Sequence, residues 1–244
     1  MAQWDAFLNV TIVIRANYGD ESIALIQWLH ENPQKNRTVM VCYIDTGWAS
    51  AEWPKRVLEA EQLAKRYGFT PIRIQSPITF EDLIIQRGDF PSPKFQWCAG
   101  FLKGVPFIDW LDKQDPKGEY IIAMAKRQAA YRVTILPQIE ACEHHGDRTV
   151  WHPMLEVSHQ ARDELLERAG FKPQYARSQE CEPCVNARES DLARLSSVDR
   201  EKLKRLELKI KKNLFIQGAQ VNASRSTSRD DFTMGCGDPF GCGL

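Results

Sequence analysis

Three short apolar runs, set apart by helical patterns, constrain this chain more than any other feature. Residues 9–15 read Asn-Val-Thr-Ile-Val-Ile-Arg, β-branched and without polar alternation at their centre. That is the pattern of a strand buried on both faces, as in a parallel sheet. Residues 38–44 repeat it, and 70–74 read as a third strand. Between them lie helical stretches at 23–30 and 52–67. The second has Val57, Leu58, Ala60, Leu63 and Ala64 on its apolar side and Gly68 where a C-cap belongs. A βαβαβ order with short links predicts a parallel sheet with right-handed crossovers. Residues 118–124 read as a fourth strand and 149–155 as a short strand or extended segment. Helices are expected from 95 to about 111, over 158–169 and over 190–214, and 77–93 as irregular chain. The fold class is therefore α/β, an open parallel sheet flanked by helices. Residues 1–175 form the α/β domain, and 176–244 form a helical, cysteine-bearing C-terminal part.

Ligands of such sheets bind beyond the carboxyl ends of the strands. Two loops lie there, 16–22 and 45–47. The first carries Asn17, Gly19, Asp20, Glu21 and Ser22 at a helix N-terminus. Gly19 permits close approach, and the helix dipole with its unpaired amides favours a phosphate. The Gly-Lys-Ser/Thr ending of a Walker A loop is absent from it. Asp20 and Glu21 can meet phosphate only through a divalent metal; read plainly, they are first-turn helix acids. Asp45, followed by Thr46 and Gly47, can accept hydrogen bonds from a ribose, or it is an ordinary strand-end turn. Lys126, Arg127 and Arg132 follow the fourth strand at the same rim. Arginine forks and lysine point charges suit phosphate or sulfate oxygens.

Cys181-Glu-Pro-Cys184 sets two thiols two residues apart, and Pro183 favours a tight turn between them. Two sulfurs cannot close a tetrahedral site. The others available are Cys42, Cys98, Cys142, Cys236 and Cys242. Cys98 stands near a helix start, where a thiol pKa is lowered; read alone, it is equally a buried apolar residue. Cys142, His144 and His145 fall in what reads as a surface turn, where no metal role is expected. Cys236 and Cys242 sit among glycines in a Ser-, Asn- and Arg-rich tail, placed to return to a site or to carry a thiol to it. The chain starts without a secretory pattern and has no apolar run able to span a bilayer, so it reads as soluble and cytoplasmic, with no membrane partner. Seven cysteines in a reducing compartment are ligands, nucleophiles or core residues before they are disulfides. The 32 basic and 32 acidic residues cancel, so a basic partner site must be local. Lys202, Lys204, Arg205, Lys209, Lys211 and Lys212 make the last helix basic. Such a face is ordinarily solvated, and it can also touch a nucleic-acid backbone.

Taken in order, these motifs resemble the phosphoadenylyl-sulfate (PAPS) reductase family, within the adenine-nucleotide α-hydrolase superfamily that includes the PP-loop pyrophosphatases. Residues 19–26 resemble the family's modified PP-loop and its helix, and residues 44–47 its Asp-Thr-Gly. Trp97-Cys98 with Lys103 and Pro106 resembles the Cys-Cys…Arg/Lys…Pro segment of cluster-bearing members. Cys181 and Cys184 match their second cysteine pair, and residues 240–244 their terminal Cys-Gly-Leu. The resemblance implies an adenine nucleotide such as ATP, with Mg2+, contacted by Gly19, Ser22 and Asp45. It implies an iron–sulfur cluster of the 4Fe-4S type on Cys98, Cys181 and Cys184, with Cys236 as fourth ligand and Cys242 the next choice. Lys126 and Arg127 would act with Cys242 in catalysis, and Arg132 would hold the anionic end. Trp97 departs from the pattern, replacing the family's first cysteine, and Asp20 stands where the pyrophosphatases carry Lys.

Three activities fit the resemblance. One is ATP-dependent nucleic-acid thiolation of the DNA-phosphorothioation type. The chain's start directly at the first strand is more like that system's ATP pyrophosphatase component. The second is reduction of an activated sulfate by a thiol nucleophile, releasing sulfite. The third is a non-catalytic nucleotide- or nucleic-acid-binding subunit with structural zinc. The implied partners are a nucleic-acid acceptor, a cysteine desulfurase or thiol reductant, and a second copy of the chain.

Overall fold

The structure is a computed structural model that describes residues 10–93, 95–128, 134–174 and 177–215. Among these, six strands form one sheet in the order β3-β2-β1-β4-β6-β5. Strands β1 (Ile12–Ala16), β2 (Val39–Asp45), β3 (Thr70–Gln75), β4 (Ile121–Ala123) and β6 (Arg148–Trp151) run parallel. All five residues of β1 are buried, as its unalternating sequence requires at the centre of a two-sided sheet. The edge strand β5 (Gln138–Cys142) pairs antiparallel with β6 and was not legible beforehand.

Alternate side chains of each strand feed opposite layers. Ile12, Ile14, Val41 and Tyr43 meet helices α1 (Asp20–Glu31), α2 (Trp53–Arg66) and α6 (His159–Arg168). Val13, Cys42, Ile44 and Ile122 meet Phe107 and Leu111. Those two residues belong to α5 (Val105–Gln114). Beyond the carboxyl ends of the strands lies a third apolar group. It joins Trp48, Phe80, Ile84, Trp97, Leu102 and Leu206. Here α3 (Phe80–Arg87) meets α8 (Ser197–Ile210), which follows the short α7 (Glu189–Ala193).

Several sequence expectations are revised. The stretch expected to be irregular contains α3, capped by Thr79 and closed by Gly88 in the left-handed region. The helix expected from residue 95 is three pieces in series. The short α4 (Trp97–Ala99) runs into a π-helical stretch, Gly100–Gly104, and then into α5. In the π stretch the Val105 N–H reaches the Gly100 carbonyl, five residues back. The Cys142–His145 turn is not a surface feature throughout, since His145 is buried. Helix α6 begins at the Ser158 N-cap, as expected. No helix among the described residues is long and apolar enough to cross a membrane.

Candidate functional site

The loop between β1 and α1 is organised by one side chain. Asn17 Oδ1 accepts the Gly19 N–H at 2.9 Å and the Ser22 hydroxyl at 3.0 Å, folding the loop onto the first turn of α1. Its Nδ2 donates outward to Ser178 Oγ at 3.1 Å and to Glu180 Oε1 at 3.5 Å. A Cβ on Gly19 would stand 3.1 Å from both Asn17 Oδ1 and the Ser178 Cβ, so the glycine is fixed by this close approach. The loop before α1 and the segment before Cys181 therefore form one packed unit.

The acids of that first turn are fully engaged. Asp20 is buried; one oxygen meets Arg56 at 2.9 Å and the other accepts the Gln174 N–H at 2.8 Å. Glu21 takes Arg127 in a two-bond fork, each at 2.7 Å, and Arg162 at 3.2 Å. The structure thus differs from the expectation that Asp20 and Glu21 address phosphate through a metal. They tie α1 to α2, α6 and the 174 segment. It differs likewise for Arg127, only 1% exposed, whose remaining bonds go to the Val157 carbonyl and to His159 Nδ1. A guanidinium with its donors spent in this way is a clamp, not an open anion receptor. Lys126 is half-buried past the end of β4. Arg132, Cys236 and Cys242 lie outside the described residues.

Cys98, Cys181 and Cys184 line a single small, open cleft, together with Thr46, Lys103 and Glu180. Two short connections carry the second pair there. Ser50 N–H bonds the Gln179 carbonyl at 2.9 Å, and Glu182 N–H bonds the Trp48 carbonyl at 2.8 Å. Trp48 Nε1 donates to the Pro183 carbonyl at 3.2 Å, so the Cys181–Cys184 turn rests on the segment after β2. On the cleft wall Lys103 Nζ stands 2.6 Å from Glu180 Oε1, the two side chains being 7% and 5% exposed. Arg177 Nη2 lies 3.8 Å from Cys184 Sγ. Burial first, then Asp199 and Asp191, pushes the Glu182 carboxyl up to about 7.

Asp45 and Gly47 sit at the strand end, where Asp45 Oδ1 accepts the Gly47 N–H at 2.9 Å. Thr46 is buried and donates to the Glu180 carbonyl at 3.4 Å. Burial pushes the Cys42 thiol up to about 12, which makes it a core residue beneath α5. Cys142 Sγ is 3.4 Å from His145 Nδ1 at the far side of the sheet. Trp97, standing for a cysteine in the resemblance, is buried under Arg87, whose guanidinium carbon is 4.4 Å from the ring centre. Glu180 and Ser178 escaped sequence reasoning, although their position just before Cys181 was the available signal.

Three sulfur donors on one wall suit a soft centre, zinc or iron–sulfur. Among the described residues, however, no set of three or more His, Cys, Asp or Glu is drawn close enough to hold a metal ion. The donor chemistry fits such a group, and the cage is not preassembled by these residues.

No protein-family model and no curated protein matches the sequence. Solved structures do match. The U34-tRNA thiolase NcsA from Methanococcus maripaludis, with its [4Fe-4S] cluster, aligns with a TM-score of 0.51 at 13% identity, covering 86% of this chain and 70% of that one. The PAPS reductase from Candida auris, as a phosphate complex, aligns with a TM-score of 0.48 at 13% identity, covering 70% and 78%. At this identity the thiolase alignment speaks for the architecture, which agrees with the strand order and layers described above. The chain has an α/β, adenine-nucleotide α-hydrolase-like fold.

Proposed function

We propose that the chain is an adenine-nucleotide-dependent, iron–sulfur sulfur-transfer enzyme acting in nucleic-acid thiolation, with DNA phosphorothioation as the activity type. The observation that carries this reading is that Cys98, Cys181 and Cys184 line one cleft with Ser178 and Glu180, to which the Asn17 loop is hydrogen-bonded. A fold neighbour that is a tRNA thiolase with a cluster supports it.

The phosphates of ATP bind at the N-terminus of α1, where the first helical amides have no partner within the helix. Asp20 and Glu21 do not repel them as free acids would, because Arg56, Arg127 and Arg162 neutralise both. Gly19 lets the chain approach closely, and Asp45 lies at the neighbouring strand end to meet the ribose. The acceptor oxygen attacks the α-phosphorus, pyrophosphate leaves, and an incoming sulfur nucleophile displaces AMP. Cys98, Cys181 and Cys184, with Cys236 as fourth ligand, would hold a 4Fe-4S cluster that supplies sulfur-binding chemistry beside the adenylate. Lys103, its charge offset by Glu180, places an ammonium beside these thiols in the cleft.

Anaerobic purification tests the reading. Brown protein with iron and labile sulfide, losing both in Cys181→Ser, is the expected result, with pyrophosphate released from ATP. Colourless protein with stoichiometric zinc would replace the enzyme by a binding subunit. Sulfite release from an activated sulfate, without pyrophosphate from ATP, would replace thiolation by reduction.

A further inference from the structure

The lysines and arginines of α8 and its C-terminal cap differ in what they meet. Lys209 reaches Glu81 at 3.7 Å and Lys212 reaches Asp89 at 3.1 Å, tethering the helix to α3 and its end. Lys202 lies on the inner side, 4.3 Å over the Trp48 ring and 3.2 Å from Asp199. Lys204, Arg205 and Lys211 are different. All three are exposed and form no ion pair among the described residues. Lys204 and Leu208 share the outward stripe opposite the buried Leu206 with Glu201, Arg205 stands about a quarter turn from Lys204, and Lys211 is the left-handed C-cap just past the helix. Leu208 on that stripe is 68% exposed. Glu207, one turn before Lys211, is occupied by the Leu214 N–H at 2.8 Å, which leaves Glu201 as the exposed acid of the helix.

The inner face of α8 packs where Cys98 and Cys181 pack. Leu206 belongs to the same apolar group as Trp48 and Trp97, with both cysteines against it. A ligand lying along the outer face is thus at least one helix diameter, ~10 Å, from those thiols.

We infer that the outward stripe of α8 and its C-terminal cap, with Lys204, Arg205 and Lys211, docks the sugar-phosphate backbone of a nucleic acid. This deepens the thiolation reading by locating its acceptor, and rests on it. Exposed cations on the outer side and at the C-terminal cap of one helix can each meet a phosphate of a strand passing over it, and each neutralised phosphate releases a counterion. A membrane surface is the poorer fit, because an interfacial helix needs its apolar face free and α8 has committed that face to the core. The geometry reads backbone and not bases, so DNA and RNA share the chemistry and the experiment separates them.

The test is fluorescence anisotropy of the full chain with a labelled DNA duplex of about 20 base pairs and a labelled RNA hairpin, titrated across about 50–200 mM salt. The variant is Lys204→Glu/Arg205→Glu/Lys211→Glu. Its control, Lys35→Glu/Lys113→Glu/Lys117→Glu, carries the same charge change on exposed residues near the amino ends of β2 and β4. The stripe variant is expected to lose at least about tenfold in affinity and to lower the salt slope by about 2.7, three contacts at ~0.9 each. The control is expected to bind like the parent. The better-bound probe identifies the acceptor as DNA or RNA. Unchanged binding by the stripe variant, an equal loss in the control, or preference for phosphatidylserine vesicles over both nucleic acids overturns the inference. Thermal melting and iron content are read on every variant. A protein without iron that binds duplex through the stripe keeps this inference and sinks the thiolation reading. A protein with iron and pyrophosphate release whose binding ignores the stripe does the reverse.

Discussion

On one side of the Asn17 loop, Arg127 grips Glu21; on the other, Lys103 meets Glu180. Both pairs are short and both cations are buried. Their settings differ in what each carboxylate keeps. Glu21 is 27% exposed and also has Arg162, so its charge is satisfied three ways. Glu180 is almost wholly buried on the wall shared with the thiols, with Asn17 Nδ2 at 3.5 Å. Buried basic residues near a loop at a strand end are easily read as ligand-binding groups. The number of donors already spent decides which of them faces chemistry and which holds helices together.

The comparison can be broken by substitution. The largest effect is expected from Lys103→Met, which strands Glu180 in a buried site. Loss of one partner of such a pair costs about 3–5 kcal/mol, and Glu180→Gln in the same chain should recover most of it. Urea unfolding of the two single variants and the double measures this, and additive losses would deny the coupling. Arg127→Met should cost less, about 2 kcal/mol, because Glu21 keeps Arg162 and water while the Val157 carbonyl loses a donor. Its nucleotide affinity, measured by calorimetry on the folded fraction, should fall only several-fold, because Arg162 still offsets part of the Glu21 charge. A large loss of affinity with stability intact would return Arg127 to the binding site.

His145 sharpens the contrast as a buried base surrounded by other bases. Burial first, then Arg15, His144, Lys126 and His152, lowers its pKa to about 3. Unfolding restores a value near 6.5, so the unfolded chain binds the proton that the folded one refuses. The stability that depends on neutral His145 is present above pH 6.5 and is lost as pH falls toward 3. Thermal melting of His145→Gln should therefore show a shallower acid limb than the parent between those values. The smallest effect is expected from Gly19→Ala. Its backbone is unstrained at φ −70°, but the new methyl presses on Asn17 and Ser178. A cost of about 1 kcal/mol, of the size of one weakened hydrogen bond, should accompany weaker ATP binding.

The sheet was legible because β1 and β2 are buried on both sides, which writes uninterrupted β-branched runs into the chain. The order through α2 and β3 followed from that. β5 was not legible, since Gln138–Cys142 is an edge strand with mixed polar residues and only half-buried or exposed positions. Helix α3 hid between prolines, and its Thr79 cap and Gly88 terminus were the missed signals. At the site, Cys98, Cys181 and Cys184 were nominated by residue type and spacing, and the fold brings them to one cleft. The roles given to Asp20, Glu21 and Arg127 came from charge at a strand end. No local pattern could reveal that Arg56, Arg127 and Arg162, far apart in the chain, converge on two adjacent acids.

The π-helical stretch between α4 and α5 sets a phase. Cys98 and Lys103 are five residues apart, a spacing that turns side chains about 140° away from each other on a regular α-helix. Widening one turn to a five-residue repeat returns Lys103 toward the azimuth of Cys98, and both face the cleft. Wound as a regular α-helix, the same residues would carry the ammonium about 140° out of register with the thiol, with every side chain chemically intact.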